Sequence, residues 1–356
     1  MIRRIAVGNF KAITEKEIEV RDGLNLIIGP PASGKSSLLE AIAFLMQSRG
    51  EDWLITEGNY LVIHDLNDVI NGMDPTRIMS LGLTIDVDNH VESFLEPSGV
   101  KAGVIEYRYM YRYSDGYIAQ LIRLDDEETL FEKNGEAGLM VRPRQVRLCT
   151  PPSYVMHEDA LVPCEDSPEI GRAQAALFAM RQSLRDRFFF IGENRVAWWK
   201  RTFEVTVDLP THSVGGDGQY TVHFLSMLLT KPEYGEAANR LKRLLGKLGI
   251  EDVTAGFVEP NRVSGYLLMR GKWAPLYHAG LAIKSMLPLL VQLAISPNGS
   301  TVMIDGIDVG LNEEWLETIT DILIDAGKNI QVIATSRTTP RNNGLNIIEI
   351  DNSSRS

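Results

Sequence analysis

A chain of 356 residues, 44% apolar and 23% charged, has room for two ordinary domains or one large core carrying an insertion, and its composition excludes a disordered or fibrous protein. Lys and Arg number 36 against 47 Asp and Glu, a net charge of −11, which argues against a broad phosphate-tracking surface and leaves only local basic patches. The two cysteines, Cys149 and Cys164, form neither a zinc pattern nor a disulfide framework, as expected of a cytoplasmic, reducing setting.

The opening Met1 to Phe10 mixes charges with isolated apolar residues and has no h-region, so no secretory leader is expected. Ile5 with Val7, and Ile18 with Val20, follow the period of half-buried strands. Leu24 to Ile28 reads as a buried strand ended by Gly29, and Ser36 to Gln47 has the length and composition of a helix. From Arg77 to about Leu130 short alternating segments, with a turn at Ser114-Asp115-Gly116, predict an antiparallel lobe. Residues 131–168 hold five of the sixteen prolines and keep no period, so they read as a connector.

A helix is expected from Asp166 to about Arg185 and a buried strand from Arg187 to Gly192. Beyond the glycine cluster Gly215-Gly216-Asp217-Gly218 comes a further helix, then an amphipathic helix over Glu236 to Leu248 and two strands flanking Asn261. The last quarter alternates helix Gly280 to Ile295, strand Thr301 to Ile304, helix Asn312 to Ala326, strand Ile330 to Thr335 and strand Asn346 to Ile350, as βαβ units with a parallel sheet do. The longest apolar run, Met286 to Ile295, is half of what a bilayer demands and contains Pro288 and Gln292, so no membrane span and no membrane partner are expected. These readings divide the chain into 1–75, 76–200 and 201–356: half of an α/β core, an antiparallel lobe with a helical insertion, and the other half of the core.

Gly29-Pro30-Pro31-Ala32-Ser33-Gly34-Lys35-Ser36 fits the phosphate-binding loop G-x-x-x-x-G-K-[ST] and sits between a strand and a helix, the context that pattern requires. Loop and helix N–H groups, Ser37 included, would face phosphate oxygens, Lys35 would place a point charge on them, and Ser36 would ligate Mg2+. Such a loop needs a second acid at the end of a neighbouring parallel strand, and Thr301-Val302-Met303-Ile304-Asp305 supplies four strand residues and then Asp305. ATP with Mg2+ is therefore the expected ligand, with Asp305 as the second metal ligand. About 270 residues separate the two motifs, which requires a large insertion between them.

Asn9-Phe10-Lys11, the run SSLLEAIAFL after the loop, and LYHAGLAIKSMLPLLVQLA before Asp305 together resemble the ABC ATPase heads of the SMC, RecF and OLD group and their stand-alone AAA-type relatives. The resemblance implies a P-loop NTPase of α/β class with a mainly parallel core sheet. It implies that two heads sandwich ATP, the signature loop of one meeting the nucleotide of the other, and so an ATP-dependent homodimer. On that reading Lys11 joins the nucleotide site, and Tyr277-His278-Ala279-Gly280 is the signature loop, Gly280 allowing close approach and His278 serving as a phosphate donor or merely a cap.

The family's general base follows the strand acid, where this chain has Gly306; Asp308 is either a substitute base or the start of a turn. A glutamate at 306 is expected to restore that base. The switch histidine is missing from Ala334-Thr335-Ser336-Arg337, which leaves Arg337, ahead of Thr335 or Ser336, as the candidate sensor. Gln120 and Gln145 are candidates for the glutamine that couples lobe and metal. Tyr107, Tyr109, Tyr111 and Tyr113 share one strand face, either for stacking bases or for packing within the lobe, and Trp198-Trp199-Lys200-Arg201 is either a partner contact or ordinary packing. The resemblance implies a slow ATPase in DNA repair, DNA maintenance or anti-phage defence, with DNA or an effector protein as partner. The alternative is a nucleotide-dependent scaffold that recruits an effector without turnover.

Overall fold

The structure, a computed structural model, describes residues 1–48, 54–125, 127–133, 140–142, 146–147, 154–157, 160–163, 168–197, 199–205, 209–210, 212–342 and 345–351. In chain order it contains β1 (Ile2–Phe10), β2 (Ile13–Glu19), β3 (Leu24–Ile28), α1 (Lys35–Ser48), β4 (Ile78–Asp86), α2 (Asn89–Leu95), β5 (Val104–Arg112), β6 (Tyr117–Leu124), β7 (Glu127–Lys133), β8 (Met140–Arg142) and β9 (Val146–Arg147). Then come β10 (Tyr154–His157), β11 (Ala160–Pro163), α3 (Pro168–Arg187), β12 (Phe188–Ile191), β13 (Phe203–Glu204), α4 (Thr221–Thr230), α5 (Gly235–Lys247), β14 (Asp252–Glu259), β15 (Arg262–Met269) and β16 (Lys272–Pro275). The chain closes with α6 (Leu281–Ile295), β17 (Thr301–Ile304), α7 (Glu313–Ala326), β18 (Gln331–Ser336) and β19 (Asn346–Glu349).

Two compact units emerge, one of 1–20, 32–185 and 352–356, the other of 21–31 and 186–351. The first is built on an antiparallel sheet in the order β2-β1-β4-β5-β6-β7-β8-β9. Helix α1 packs on β1 and β4, because Leu38, Leu39, Ala41, Ile42, Phe44 and Leu45 are all buried. The segment read as a connector carries β8 to β11 instead: all four strands, at two to four residues, are too short for a period to register, and the prolines fall between them, at the end of β11 or at the start of α3.

The second unit holds a five-stranded sheet in the order β12-β17-β18-β3-β19, with every neighbouring pair parallel. Buried on both faces, β12, β17 and β18 read as largely apolar runs such as FFFI and TVMI. A smaller antiparallel sheet, β13-β15-β14 with β16 on β15, lies in the same unit. An α/β fold with a parallel core sheet and an antiparallel lobe is thus observed. Helix α6 is buried almost all round, and its Gln292 is satisfied from within the core: Nε2 donates to His212 O at 2.8 Å, and Oε1 accepts from Val214 N at 3.0 Å. Its apolar run is a core helix, and among the described residues no helix is long and apolar enough to cross a membrane.

Candidate active site

The phosphate-loop motif spans the step from β3 to α1. Gly29, Pro30 and Pro31 follow β3, while Ala32, Ser33 and Gly34 lead into Lys35, the first residue of α1. Ala32 at φ +61° and Gly34 at φ +90° are both left-handed, an alternation that gathers successive N–H groups into an anion-binding nest. Glycine is required at 34 on two counts, since a Cβ there would carry that φ and also lie 3.2 Å from Ile13 Cγ1. Leu38 N donates to Gly34 O at 2.9 Å, closing the first turn of a 14-residue helix with no acid in its first turn. Lys35 is 9% exposed, its Nζ 3.5 Å from Ser33 Oγ, and Ser36 and Ser37 lie half-buried behind it.

A lysine ammonium, serine hydroxyls and the positive end of a helix suit a polyphosphate carrying Mg2+. Among the described residues no three His, Cys, Asp or Glu side chains gather into a metal cage, so Mg2+ held here would draw its remaining oxygens from phosphate and water. Lys11, at φ +48°, is bound to α1 by an ion pair of Nζ with Glu40 Oε2 at 2.7 Å, and its N–H donates to Val69 O.

In the second unit, Asp305 leaves the end of β17 and is 4% exposed. Thr335 Oγ1, on β18, donates to Asp305 Oδ1 at 2.6 Å and accepts from Gly306 N at 2.7 Å, while Asp305 N donates to Ile191 O on β12 at 2.8 Å. Both neighbours of β17 therefore fix the acid. A fully buried arginine, Arg195, completes the frame. Its Nη1 donates to Gly192 O at 2.9 Å and Asp305 O at 2.6 Å, Nη2 to Ser285 Oγ at 3.1 Å and to Gly306 O, and Nε to Ser285 O at 2.9 Å. Burial pushes the guanidinium down to about 10, against the pull of Asp305, Glu193 and Asp308, so it remains charged at neutral pH. Sequence reasoning passed over Arg195, whose one hint was its place four residues beyond the FFFI strand, and read Thr335 only as an alternative phosphate sensor, not as the group that holds Asp305.

Gly306 has φ +61°, and a Cβ there would lie 2.9 Å from Val309 Cγ2, 3.6 Å from Glu193 Cγ and 3.7 Å from Glu193 Cδ. Installing glutamate at 306 therefore strains the backbone and collides with Val309, so glycine is there for the turn and a clean restoration of a base is not expected. Asp308 is half-buried and paired: Oδ2 accepts from Arg337 Nε at 3.0 Å and Arg337 N at 3.4 Å, while buried Oδ1 has no hydrogen-bond partner. The Asp308 carboxylate holds the Arg337 guanidinium above its ordinary range.

Gly280 caps α6 with φ −62°, exposed, and an added Cβ would meet nothing within 4 Å. The Tyr277 and His278 rings pack on each other with centroids 4.0 Å apart. The tyrosine stripe divides: Tyr107 and Tyr109 are each 1% exposed, and Tyr107 OH donates to Gln120 Oε1 at 3.2 Å, so these two and Gln120 serve the interior of the lobe. Trp199 Nε1 donates to Lys284 O on α6 at 3.1 Å; Trp198 and Gln145 lie outside the described residues.

Residues 1–112 match the AAA ATPase domain family. The DNA replication and repair protein RecF of Proteus mirabilis (strain HI4320) is 33% identical over 92 residues, 24% of this chain and 25% of that protein. The DNA double-strand break repair Rad50 ATPase of Methanopyrus kandleri is 39% identical over 61 residues, 16% of this chain and 7% of that one. The matched region thus spans about a quarter of the RecF relative and less of Rad50. A solved SMC head, bound in its crystal to the C-winged helix domain of ScpA, superposes with a TM-score of 0.54 at 11% identity, covering 95% of this chain and 89% of that one. The chain has the fold of an SMC head domain. Its strand order places β3, which precedes the phosphate loop, beside β18, and β18 beside β17, which leads into Asp305.

Proposed function

We propose that this head binds MgATP, hydrolyses it slowly, and pairs with a second copy on ATP to drive a DNA repair, DNA maintenance or anti-phage process. The observation that carries the reading is the left-handed nest of Ala32 and Gly34 opening directly into α1, with Lys35 nearly buried at the helix start. When bound, Mg2+ neutralises phosphate charge and orients the terminal phosphoryl group. Lys35 and the loop N–H groups would bind the phosphates and Ser36 would ligate the metal; within the second unit Asp305, whose carboxylate Thr335 keeps aimed, is the acid proposed as the second metal ligand. Gly280 and the N-terminus of α6 are proposed to face the nucleotide of the second copy. DNA and an effector protein are the partner classes suggested by the relatives' names, RecF and Rad50 among them.

Slow turnover is supported by the missing carboxylate at 306 and by Asp308 being ion-paired with Arg337. The same two facts favour the scaffold reading, which differs only in having no turnover. Lys35→Ala is expected to lower MgATP affinity at least about 100-fold, since a charge-assisted contact of this kind is worth roughly 3 kcal/mol or more once desolvated. Calorimetry on the folded variant decides it, and unchanged affinity would remove the nucleotide reading altogether.

A further inference from the structure

In β12 and β17 the registers Phe190↔Met303 and Ile191↔Ile304 run in parallel. Continued past the strand ends, that register brings Gly192 beside Asp305 and Glu193 beside Gly306. The side chain follows: Glu193 Cγ and Cδ lie 3.6 and 3.7 Å from the point where a side chain on residue 306 would begin. The glutamate that sequence order withholds from position 306 is thus supplied beside it by the neighbouring strand. We propose that Glu193 is the general base of ATP hydrolysis in this head, an inference resting on the MgATP reading above.

Three features fit the role. Glu193 is exposed, so its carboxylate can meet water, whereas Asp308 is half-buried and held by Arg337. Its backbone is rigidly placed, because Arg195 Nη1 donates to the carbonyl just before Glu193, that of Gly192, and to that of Asp305, and Arg195 Nη2 donates to Gly306 O. The Glu193 carboxyl carbon also lies close to Gly306, 3.7 Å from where a Cβ on that residue would stand, an ordinary contact distance. In the step itself, the oxygen of an attacking water forms a bond to the γ-phosphorus as the bond from that phosphorus to the bridging oxygen breaks. ADP departs with the electron pair, and the water proton passes to the Glu193 carboxylate, which later releases it to solvent.

The test uses the full chain with saturating MgATP, measuring steady-state turnover together with MgATP affinity by calorimetry. Glu193→Gln keeps the shape and loses the base, and its turnover is expected to fall about 10²–10⁴-fold with affinity little changed. Glu193→Asp, which keeps a carboxylate, is expected to recover part of that loss. Turnover within about threefold of wild type in Glu193→Gln would overturn the assignment, as would loss of turnover in Asp308→Asn while Glu193→Gln stays active. A wild-type chain that binds MgATP without turning it over leaves the binding reading standing and overturns Glu193 as base. Absence of binding overturns both.

Discussion

Thr335 Oγ1 is the hinge of the Asp305 site, donating to Asp305 Oδ1 and accepting from Gly306 N on the same hydroxyl. Thr335→Val keeps the volume and removes both bonds, leaving a buried carboxylate oxygen and a buried N–H short of a partner. A loss of about 1–3 kcal/mol is expected, with most of it recovered in Thr335→Ser. Denaturant unfolding of the three chains measures this, and a valine variant as stable as wild type would show that other groups satisfy those atoms. At this scale legibility in the sequence follows sequence proximity. Lys35 and Asp305 stand in local patterns and could be read directly. Thr335 and Arg195 act through groups 29 to 111 residues away, Glu193 meets Gly306 only in space, and a residue whose partners are distant in sequence leaves no local pattern. Gly306 was legible as a departure, yet its cause, a left-handed turn against Val309, is visible only in three dimensions.

Among elements, Arg195 ties together three that are remote in sequence: the end of β12 through Gly192, the end of β17 through Asp305 and Gly306, and α6 through Ser285. Arg195→Met preserves much of the buried volume but strands those carbonyls without donors. A loss of at least about 3 kcal/mol is expected, because breaking a buried, hydrogen-bonded charge commonly costs 3–5 kcal/mol. Thermal unfolding checks it; a shift of under about 2 °C would mean that water replaces the guanidinium without penalty. Legibility here tracks length and periodicity. The 14-residue α1, the 15-residue α6 and the buried parallel strands stood out in the sequence, and their observed bounds differ from expectation by at most one residue at either end. The short strands β8 to β11 and the two-residue β13 were missed, since a pattern of period two needs more than two to four residues to register.

For the whole molecule, the net charge of −11 sets the terms of any pairing. Two copies repel each other, and bound ATP adds negative charge, so pairing on nucleotide requires that donors of one copy contact phosphates of the other strongly enough to overcome this repulsion. The exposed Gly280 at the start of α6 is the proposed donor side, and it is well suited to testing because an added Cβ meets nothing within 4 Å. Gly280→Arg should therefore leave the thermal midpoint of the isolated chain within about 2 °C of wild type while blocking close approach of the helix start to a partner's nucleotide. Light scattering is expected to give a monomer mass without nucleotide and with ADP, a doubled mass with ATP, and a monomer mass for Gly280→Arg under ATP. Salt provides an independent arm: if charge repulsion sets the threshold, raising ionic strength lowers the ATP concentration needed for pairing, because screening acts on the exposed repulsion more than on buried contacts. A mass that stays constant across nucleotides, or an ATP dimer that survives Gly280→Arg, would place the nucleotide response within a single copy and leave α6 without the proposed role.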